Sequence, residues 1–272
     1  MGKIKRLKAY LPFTMNTFQM LLSYKANVII FMLGEWIMIT VSFFLWRAIF
    51  SSSPDKVING FTLNEMILYV LISFLTTLMT SVDISFDIAR EVKDGTIAIN
   101  LIRPISYEKR MLFQALGGVM YNFVIIFVAA FTVINLFFRF DLGTAHLGNI
   151  LIYMLSMGMG IVINFYFSYT FGLLSFKITN MWGLSQIIGA VMQLLSGALI
   201  PIVFFPEIFQ NIIRALPFSS IVYTPTMIYL GKIAGIDALR ALSLQLVWII
   251  VMIMVSRFMW KSMVKSLTIL GG

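Results

Sequence analysis

Residues 90–110 read REVKDGTIAINLIRPISYEKR. The segment sets interleaved acids and bases, a Gly-Thr pair and an IRPIS turn between two long apolar runs, so it reads as a loop joining two membrane-crossing helices. The remainder of the chain supports that frame. It is 60% hydrophobic and 11% charged, with a mean hydropathy of +0.95, whereas a soluble domain carries roughly a quarter charged residues. Runs of the about 20 residues that a bilayer crossing needs fall near 27–50, 64–86, 111–138, 149–175, 183–205 and 239–260. The longest polar loops, roughly 30 residues, fall short of the about 50 that a domain needs. The expectation is an all-α integral membrane protein with six transmembrane helices, forming a single transmembrane domain over 1–272.

Basic residues orient it, because Lys and Arg in short loops stay on the cytoplasmic side. With both termini cytoplasmic, that side holds Lys3, Lys5, Arg6, Lys8, Lys25, Arg90, Lys93, Arg103, Lys109, Arg110, Lys177, Arg257, Lys261 and Lys265. Arg47, Lys56, Arg139, Arg214, Lys232 and Arg240 fall outside or near the outer ends of spans, so the 20 basic residues divide fourteen to six. Residues 90–110 are thereby a cytoplasmic docking element. The net charge of +9 follows from this bias and from contact with anionic lipid. A nucleic-acid partner is excluded, because it would need a basic soluble face.

The absence of cysteine removes disulfides, thiolate metal sites and thiol catalysis. His146, the lone histidine, reads as loop surface, since a zinc site wants three or four ligands; no metal site is expected. The N-terminal stretch lacks the cleavage pattern of a signal peptide, and position 6 is Arg, which rules out the myristoylation motif. Ile4, Leu7, Leu11, Met15, Phe18 and Leu22 recur at helical spacing, and with the neighbouring bases they predict an interfacial helix over 1–24, with Pro12 as a possible kink.

Three spans carry polar or small residues in register. Tyr69, Ser73, Thr76, Thr80, Asp83 and Asp87 would share one side of a continuous helix. Lipid penalises such a face, which therefore lines a translocation path or forms a seam between helices. Gly160, Asn164, Ser168 and Gly172 repeat at four-residue spacing, as do Ser185, Gly189, Gln193 and Gly197. Close packing is the simpler account of both sets, a substrate-lining role the other. Glu35 lies within the first span, where an acid needs a partner or water. With Asp83, Asp87 and Arg47 it reads either as an ion relay or as interfacial charge.

The sequence contains no GxxxxGK[ST] phosphate loop, HExxH or GxSxG motif, so it is not read as an enzyme, and a nucleotide that drives transport binds another chain. EVKDGTIAINLIRPIS after the second span and GALIPIVFFPEIFQNIIRALPFSSIVYTP after the fifth together resemble, in order and spacing, the membrane permease subunit of ABC exporters of the ABC-2 class. Many members carry a large outer domain, which this sequence lacks.

That resemblance implies a cytoplasmic coupling helix within 90–110 that seats in an ATPase. The matching residues are Glu91, Asp94, Gly95, Thr96, Ile97, Ile99, Leu101, Ile102, Arg103 and Pro104. Gly95 permits a bend, Thr96 would cap the helix, the aliphatics supply apolar contacts, and Arg103, Lys109 and Arg110 pair with ATPase acids or lipid phosphates. It also implies a short outer re-entrant helix within 201–225. Pro206 and Glu207 suit its first turn, Ile208, Ile212 and Leu216 share a face, and Pro217 ends it. Phe204, Phe205, Phe209 and Phe218 would form an apolar outer gate or an interfacial anchor. The implied partners are a separate ATPase carrying ATP and Mg and a second permease, identical or related, in a prokaryotic plasma membrane. The implied cargo is an amphipathic or hydrophobic drug, lipid or peptide moved outward. Two other classes fit less of the sequence. An ion-coupled secondary transporter needs inverted repeats, and a non-transporting scaffold would use the polar seams only for assembly.

Overall fold

The computed structural model describes residues 8–23, 25–130, 147–178 and 181–266. Lys3, Lys5, Arg6, Ile4, Leu7, Arg139 and His146 lie outside the described residues, as does the end of the predicted 111–138 run. The described chain is helical but for one short hairpin. Helix α1 is Leu11–Ser23 and α2 is Lys25–Ser52. Strands β1 (Val57–Ile58) and β2 (Phe61–Thr62) pair antiparallel across Asn59 and Gly60, whose φ of 49° and 78° suit a tight hairpin turn. Helix α3, Leu63–Thr80, opens on a reciprocal cap in which Thr62 Oγ1 accepts from Glu65 N and Glu65 Oε2 accepts from Thr62 N at 2.8 Å.

Next come α4 (Ser85–Lys93), α5 (Ile97–Ile102) and α6 (Tyr107–Tyr121), the last running on through a π turn at Asn122–Phe127. Helix α7 is Leu147–Gly172 and α8 is Trp182–Leu195. Helices α9 (Glu207–Ala215), α10 (Tyr223–Tyr229) and α11 (Gly235–Met263) complete the chain. Among the described residues, five stretches are long and apolar enough to cross a bilayer: Leu33–Ser52, Leu63–Lys93, Tyr107–Ala130, Gly148–Phe176 and Gly235–Met263.

Two spans depart from expectation. The α-helix of the 183–205 run ends at Leu195, after 14 residues or about 21 Å at 1.5 Å each, and only a single 3-10 turn at Ile202–Phe204 follows within the run. It stops because Gly197 takes a left-handed φ of 77°, while the Ser196 carbonyl turns to accept from Tyr223 N at 2.9 Å. The 64–86 run breaks at 81–84, between α3 and α4. The polar stripe is therefore not one continuous face, and Asp83 and Asp87 belong to the break and to the next helix.

Helix α1 packs along α6, with Thr14 Oγ1 donating to Phe113 O at 2.7 Å and Tyr10 stacked on Phe113 at 5.4 Å. Its packed side is Thr14, Thr17, Phe18 and Leu21, while Leu11 and Met15 of the predicted apolar face are exposed. Pro12 sits in the first turn, where a missing N–H costs nothing, and does not kink the helix.

Three of the four buried clusters among the described residues mark successive levels of the bundle. At the end bearing residues 90–110, called here the basic end, Ile88, Ile97, Tyr107, Met111, Tyr169 and Leu173 close together. A middle cluster joins Leu75, Tyr153 and Ile228. At the far end Trp46, Phe61, Met66, Ile202 and Met227 meet. Helix α10, which the sequence reading did not anticipate, is buried at every position. Helix α7 threads all of this on its small residues: a Cβ at Gly160 would lie 2.9 Å from Ile221 O, and one at Gly172 would lie 2.9 Å from Ser85 Cα. The α7 stripe is thus a packing face, whereas Gly189 of α8 has open space around it. Gly172→Ala should lower the thermal unfolding midpoint in detergent through an overpacking cost of about 1–3 kcal/mol. Gly189→Ala should leave it unchanged or raise it by up to about 1 kcal/mol of helix propensity; equal losses at both sites would contradict this packing.

Candidate functional site

The break at 81–84 is held from α6 and α7. Backbone groups buried without partners cost about 1–3 kcal/mol each, and Val82, Ile84 and Ser85 are buried. Asn164 Nδ2 donates to Thr80 O at 2.7 Å, and Asn122 Nδ2 to Leu78 O at 2.8 Å, taking up carbonyls freed where α3 ends. Ser168 Oγ accepts from Ile84 N at 3.0 Å and Ser85 N at 3.1 Å, taking up the donors freed where α4 begins. The upper stripe of α3 faces protein. Tyr69 Oη donates to Gly197 O at 2.6 Å, Thr76 and Tyr153 share a hydroxyl contact at 3.0 Å, and Ser73, Thr76 and Thr80 also bond back to their own helix. Tyr69, Ser73, Thr76 and Thr80 are all buried.

Beside the break lies a crevice of about 310 Å³. Thr80 and Asp83 line it from the second span, Asn164 and Ser168 from the fourth, and Ser185, Gly189 and Gln193 from α8, so members of all three predicted stripes meet on one space. Ile221 and Val222, just before α10 and buried, also line it. Helix α8 buries none of its own residues, so Ser185, Gly189 and Gln193 border the crevice without close packing, contrary to the simpler expectation, whereas Gly197, the fourth of that set, is close-packed, a Cβ there lying 3.0 Å from Tyr223 Cβ. Ser185 Oγ is buried yet finds no hydrogen-bond partner among the described residues. Asp83 accepts from Ser85 Oγ at 2.6 Å, and Asp87 is held by Arg90 at 2.8 Å and Gln114 at 2.9 Å. Two of the three acids of the supposed relay thus have local donors. Glu35, on α2, makes no ion pair among the described residues.

Below the crevice, α4 leads to the 90–110 segment. Gly95 adopts φ of 71°, the left-handed turn that ends a helix, with Asp94 N and Gly95 N donating to Arg90 O and Val92 O. Thr96 does not cap α5. It already has helical dihedrals, and its hydroxyl reaches back to Glu91 O at 3.4 Å. Ser106 caps α6, accepting from Lys109 N. Arg110 and Glu91, expected on a partner surface, are bound to each other instead. Arg110 Nη2 lies 2.6 and 2.7 Å from the two Glu91 oxygens, Tyr107 Oη donates to Glu91 Oε2 at 3.0 Å, and the guanidinium sits 4.9 Å from the Tyr107 ring centre. The pair clamps the end of α4 to the start of α6. Ile97 is fully buried in the basic-end cluster, so it cannot be a docking contact, and Leu101 packs beside it. Ile99 and Ile102 are 56% and 83% exposed, and Asp94, Thr96, Arg103 and Pro104 are exposed around them.

A family described as ABC-2 family transporter protein matches residues 36–271, which takes in the bundle, the break, the crevice and the clamped segment. The chain belongs to the ABC-2 transporter family. No curated protein and no solved structure matches it. It is therefore a multi-pass membrane protein of the ABC-2 permease type.

The four phenylalanines of the expected outer gate do not form one cluster. Phe204 packs 4.9 Å from Trp46 and 6.4 Å from Phe61, with Phe205 in the same cluster, whereas Phe218 meets Phe167 at 5.4 Å and Phe209 is exposed. The reason is that α9 turns its apolar side outward: Ile208, Phe209 and Ile212 are exposed and Ile213 is the residue it buries.

Sequence reasoning also missed two polar nodes of the permease. Gln245, fully buried in α11, donates to Ser156 O and Ser220 O at 3.1 and 2.7 Å and accepts from Ser156 Oγ at 3.0 Å. A lone amide in an apolar span was the available signal. At the far end Lys232 Nζ donates to Gly60 O at 2.7 Å and Glu65 Oε1 at 2.9 Å, tying the hairpin to the loop before α11.

The Glu91–Arg110 side chains are 15% and 7% exposed, so removing one partner strands the other. Arg110→Met should cost about 3–5 kcal/mol of stability, and the double change Glu91→Gln, Arg110→Met should cost less than Arg110→Met alone. Thermal unfolding of the purified permease reads both; a double variant as unstable as the single would contradict the pairing.

Proposed function

We propose that this chain is the transmembrane permease subunit of an ATP-driven exporter, moving an amphipathic or hydrophobic substrate such as a drug, lipid or peptide outward by alternating access. The reading is supported above all by one arrangement: a polar crevice whose wall is the break between α3 and α4, and a clamped segment following α4 that presents Ile99 and Ile102. In this account α5 is the coupling helix. Its exposed aliphatics, with Asp94, Thr96, Arg103 and Pro104 around them, seat in a cytoplasmic ATPase that carries ATP and Mg. Motion of α5 reaches α4 through the Gly95 turn, and the Glu91–Arg110 pair ties α4 and α6 into the same movement. Because α4 begins where Ser168 holds Ser85 N, that motion bears directly on the crevice wall.

The basic end is then cytoplasmic, with both termini on that side, in a prokaryotic plasma membrane. Six crossings follow if α8 and the turn after it form the fifth, and α9 with α10 form the outer re-entrant element. Helix α1 lies at the cytoplasmic interface. The outer closure consists of Trp46, Phe61 and Phe204 with the Tyr69–Gly197 bond, in place of the four-phenylalanine gate. The exposed apolar sides of α2 and α9, including Ile37, Phe44, Ile208 and Ile212, meet lipid or a second permease, identical or related.

A secondary transporter breaks its helices near the bilayer midplane. Here α3 runs 18 residues before the break, about 27 Å at 1.5 Å each, which sets the break near one edge of a hydrocarbon core of about 30 Å. That placement suits coupling to a cytoplasmic motor. Ile99→Asp with Ile102→Asp should abolish co-purification of the ATPase and substrate efflux while leaving the thermal midpoint within about 0.5 kcal/mol, as for exposed positions. Ser185→Trp, which fills the crevice, should keep the ATPase bound and stop efflux. Unimpaired efflux in both variants would sink the proposal.

A further inference from the structure

A second cavity, of about 370 Å³, lies at the basic end between α5 and the last turns of α11. Asn100 and Leu101 form one wall, Arg257 and Lys261 the other, with Ser106 at its rim and Trp260 within it. The Trp260 ring is stacked on Tyr107 at 5.3 Å, which fixes that surface. Among the described residues neither Arg257 nor Lys261 takes part in an ion pair. They stand one turn apart, on one side of α11. Glu108 also borders the cavity, its Oε1 accepting from Tyr166 Oη at 2.9 Å, so two bases stand against one carboxylate and the balance of charge there is positive. Ser106 Oγ accepts from Lys109 N, which leaves its own hydrogen free to donate, and Asn100 offers amide donors.

Two cations and neutral donors converging on a space of this size suit a phosphate group. The surroundings choose its carrier. Ile250, Met254 and Phe258 form an exposed apolar ridge on α11, 50%, 57% and 72% accessible, which ends beside Arg257 and Lys261. Basic residues at the foot of an apolar membrane helix meet lipid headgroups while acyl chains cover the ridge. We propose that this cavity binds the headgroup of an anionic phospholipid from the leaflet at the basic end, its chains lying along α11. Such a lipid bridges α5 to the last span, so it would tune the coupling motion proposed above. The lipid site itself is independent of that motion and rests only on the cavity and the ridge.

The test is native mass spectrometry of the detergent-purified chain with phosphatidylglycerol, phosphatidylcholine or inorganic phosphate. Wild type should retain phosphatidylglycerol over phosphatidylcholine, and Arg257→Gln with Lys261→Gln should weaken retention on the order of thirtyfold, the effect of two neutralised bases near an anionic surface. Lys177→Gln with Lys265→Gln, which removes equal charge outside the cavity, should retain it. Equal loss in both double variants, or none in either, would overturn the site. Competition by inorganic phosphate at equal concentration would overturn the lipid assignment. On the wild-type chain, a photoactivatable phosphatidylglycerol should label the peptide around residues 254–261, and labelling confined to other helices would overturn the proposal without any variant. Phosphatidylglycerol stimulation of ATP hydrolysis in the reconstituted complex reads the coupling consequence separately, so loss of that effect alone counts against the coupling account and leaves the binding site standing.

Discussion

A buried backbone that leaves helical geometry must find hydrogen-bond partners in side chains, because no water or neighbouring strand supplies them. In this chain that constraint is met at residues 81–84, where Asn122, Asn164 and Ser168 take up the carbonyls and amides freed between α3 and α4. Left unmet, several such groups at about 1–3 kcal/mol each would consume a large share of the 5–15 kcal/mol by which a typical domain is stable. Much else follows from the break. It re-aims the chain into α4, lets α7 approach through Gly172, and leaves the crevice between the second span, α7 and α8.

The basic end repeats the logic with charge. An arginine and a glutamate buried together cost desolvation energy, and the geometry that offsets it is specific: two guanidinium contacts of 2.6 and 2.7 Å, a tyrosine hydroxyl on the same carboxylate, and a ring beside the cation. A pair of that kind fixes position more than it adds stability. It makes α4, the Gly95 turn and the start of α6 move as one piece, and it leaves α5 with Ile97 anchored inward and Ile99 and Ile102 facing out. That rigidity is what the proposed coupling role asks of the segment.

Length and hydropathy made most of the fold legible. The runs at 27–50, 149–175 and 239–260 became α2, α7 and α11 with small boundary shifts, because an all-apolar run has few alternatives. The breaks were not legible. Residues 81–84 read SVDI and residues 196–197 read SG, and neither stands out from a span whose neighbours a single sequence does not reveal. Of the candidate site, the stripe residues Thr80, Asn164, Ser168, Ser185 and Gln193 were found by spacing alone and meet at one crevice. The resemblance placed Ile97 and Arg110 on a partner surface, where the structure buries both, since exposure depends on where α5 and α6 fold back, and the Glu91 that pairs with Arg110 is 19 residues away. It misjudged the phenylalanines for a similar reason, as the amphipathic α9 put its apolar side outward.

The central claim is that the broken second span opens a hydrated crevice against α8. The absence of cysteine in the sequence permits a direct measurement: single cysteines at Asp83, Gly189 and Gln193, which are exposed on the crevice, and at Ser73 and Thr76, which are buried, tested with a water-soluble thiol reagent in membranes. The account predicts fast labelling at the first three positions and protection at the last two until the protein is denatured. Protection at Gly189 and Gln193 equal to that at Thr76 would mean that α8 faces lipid or packs shut, and would contradict the crevice and the mechanism drawn from it.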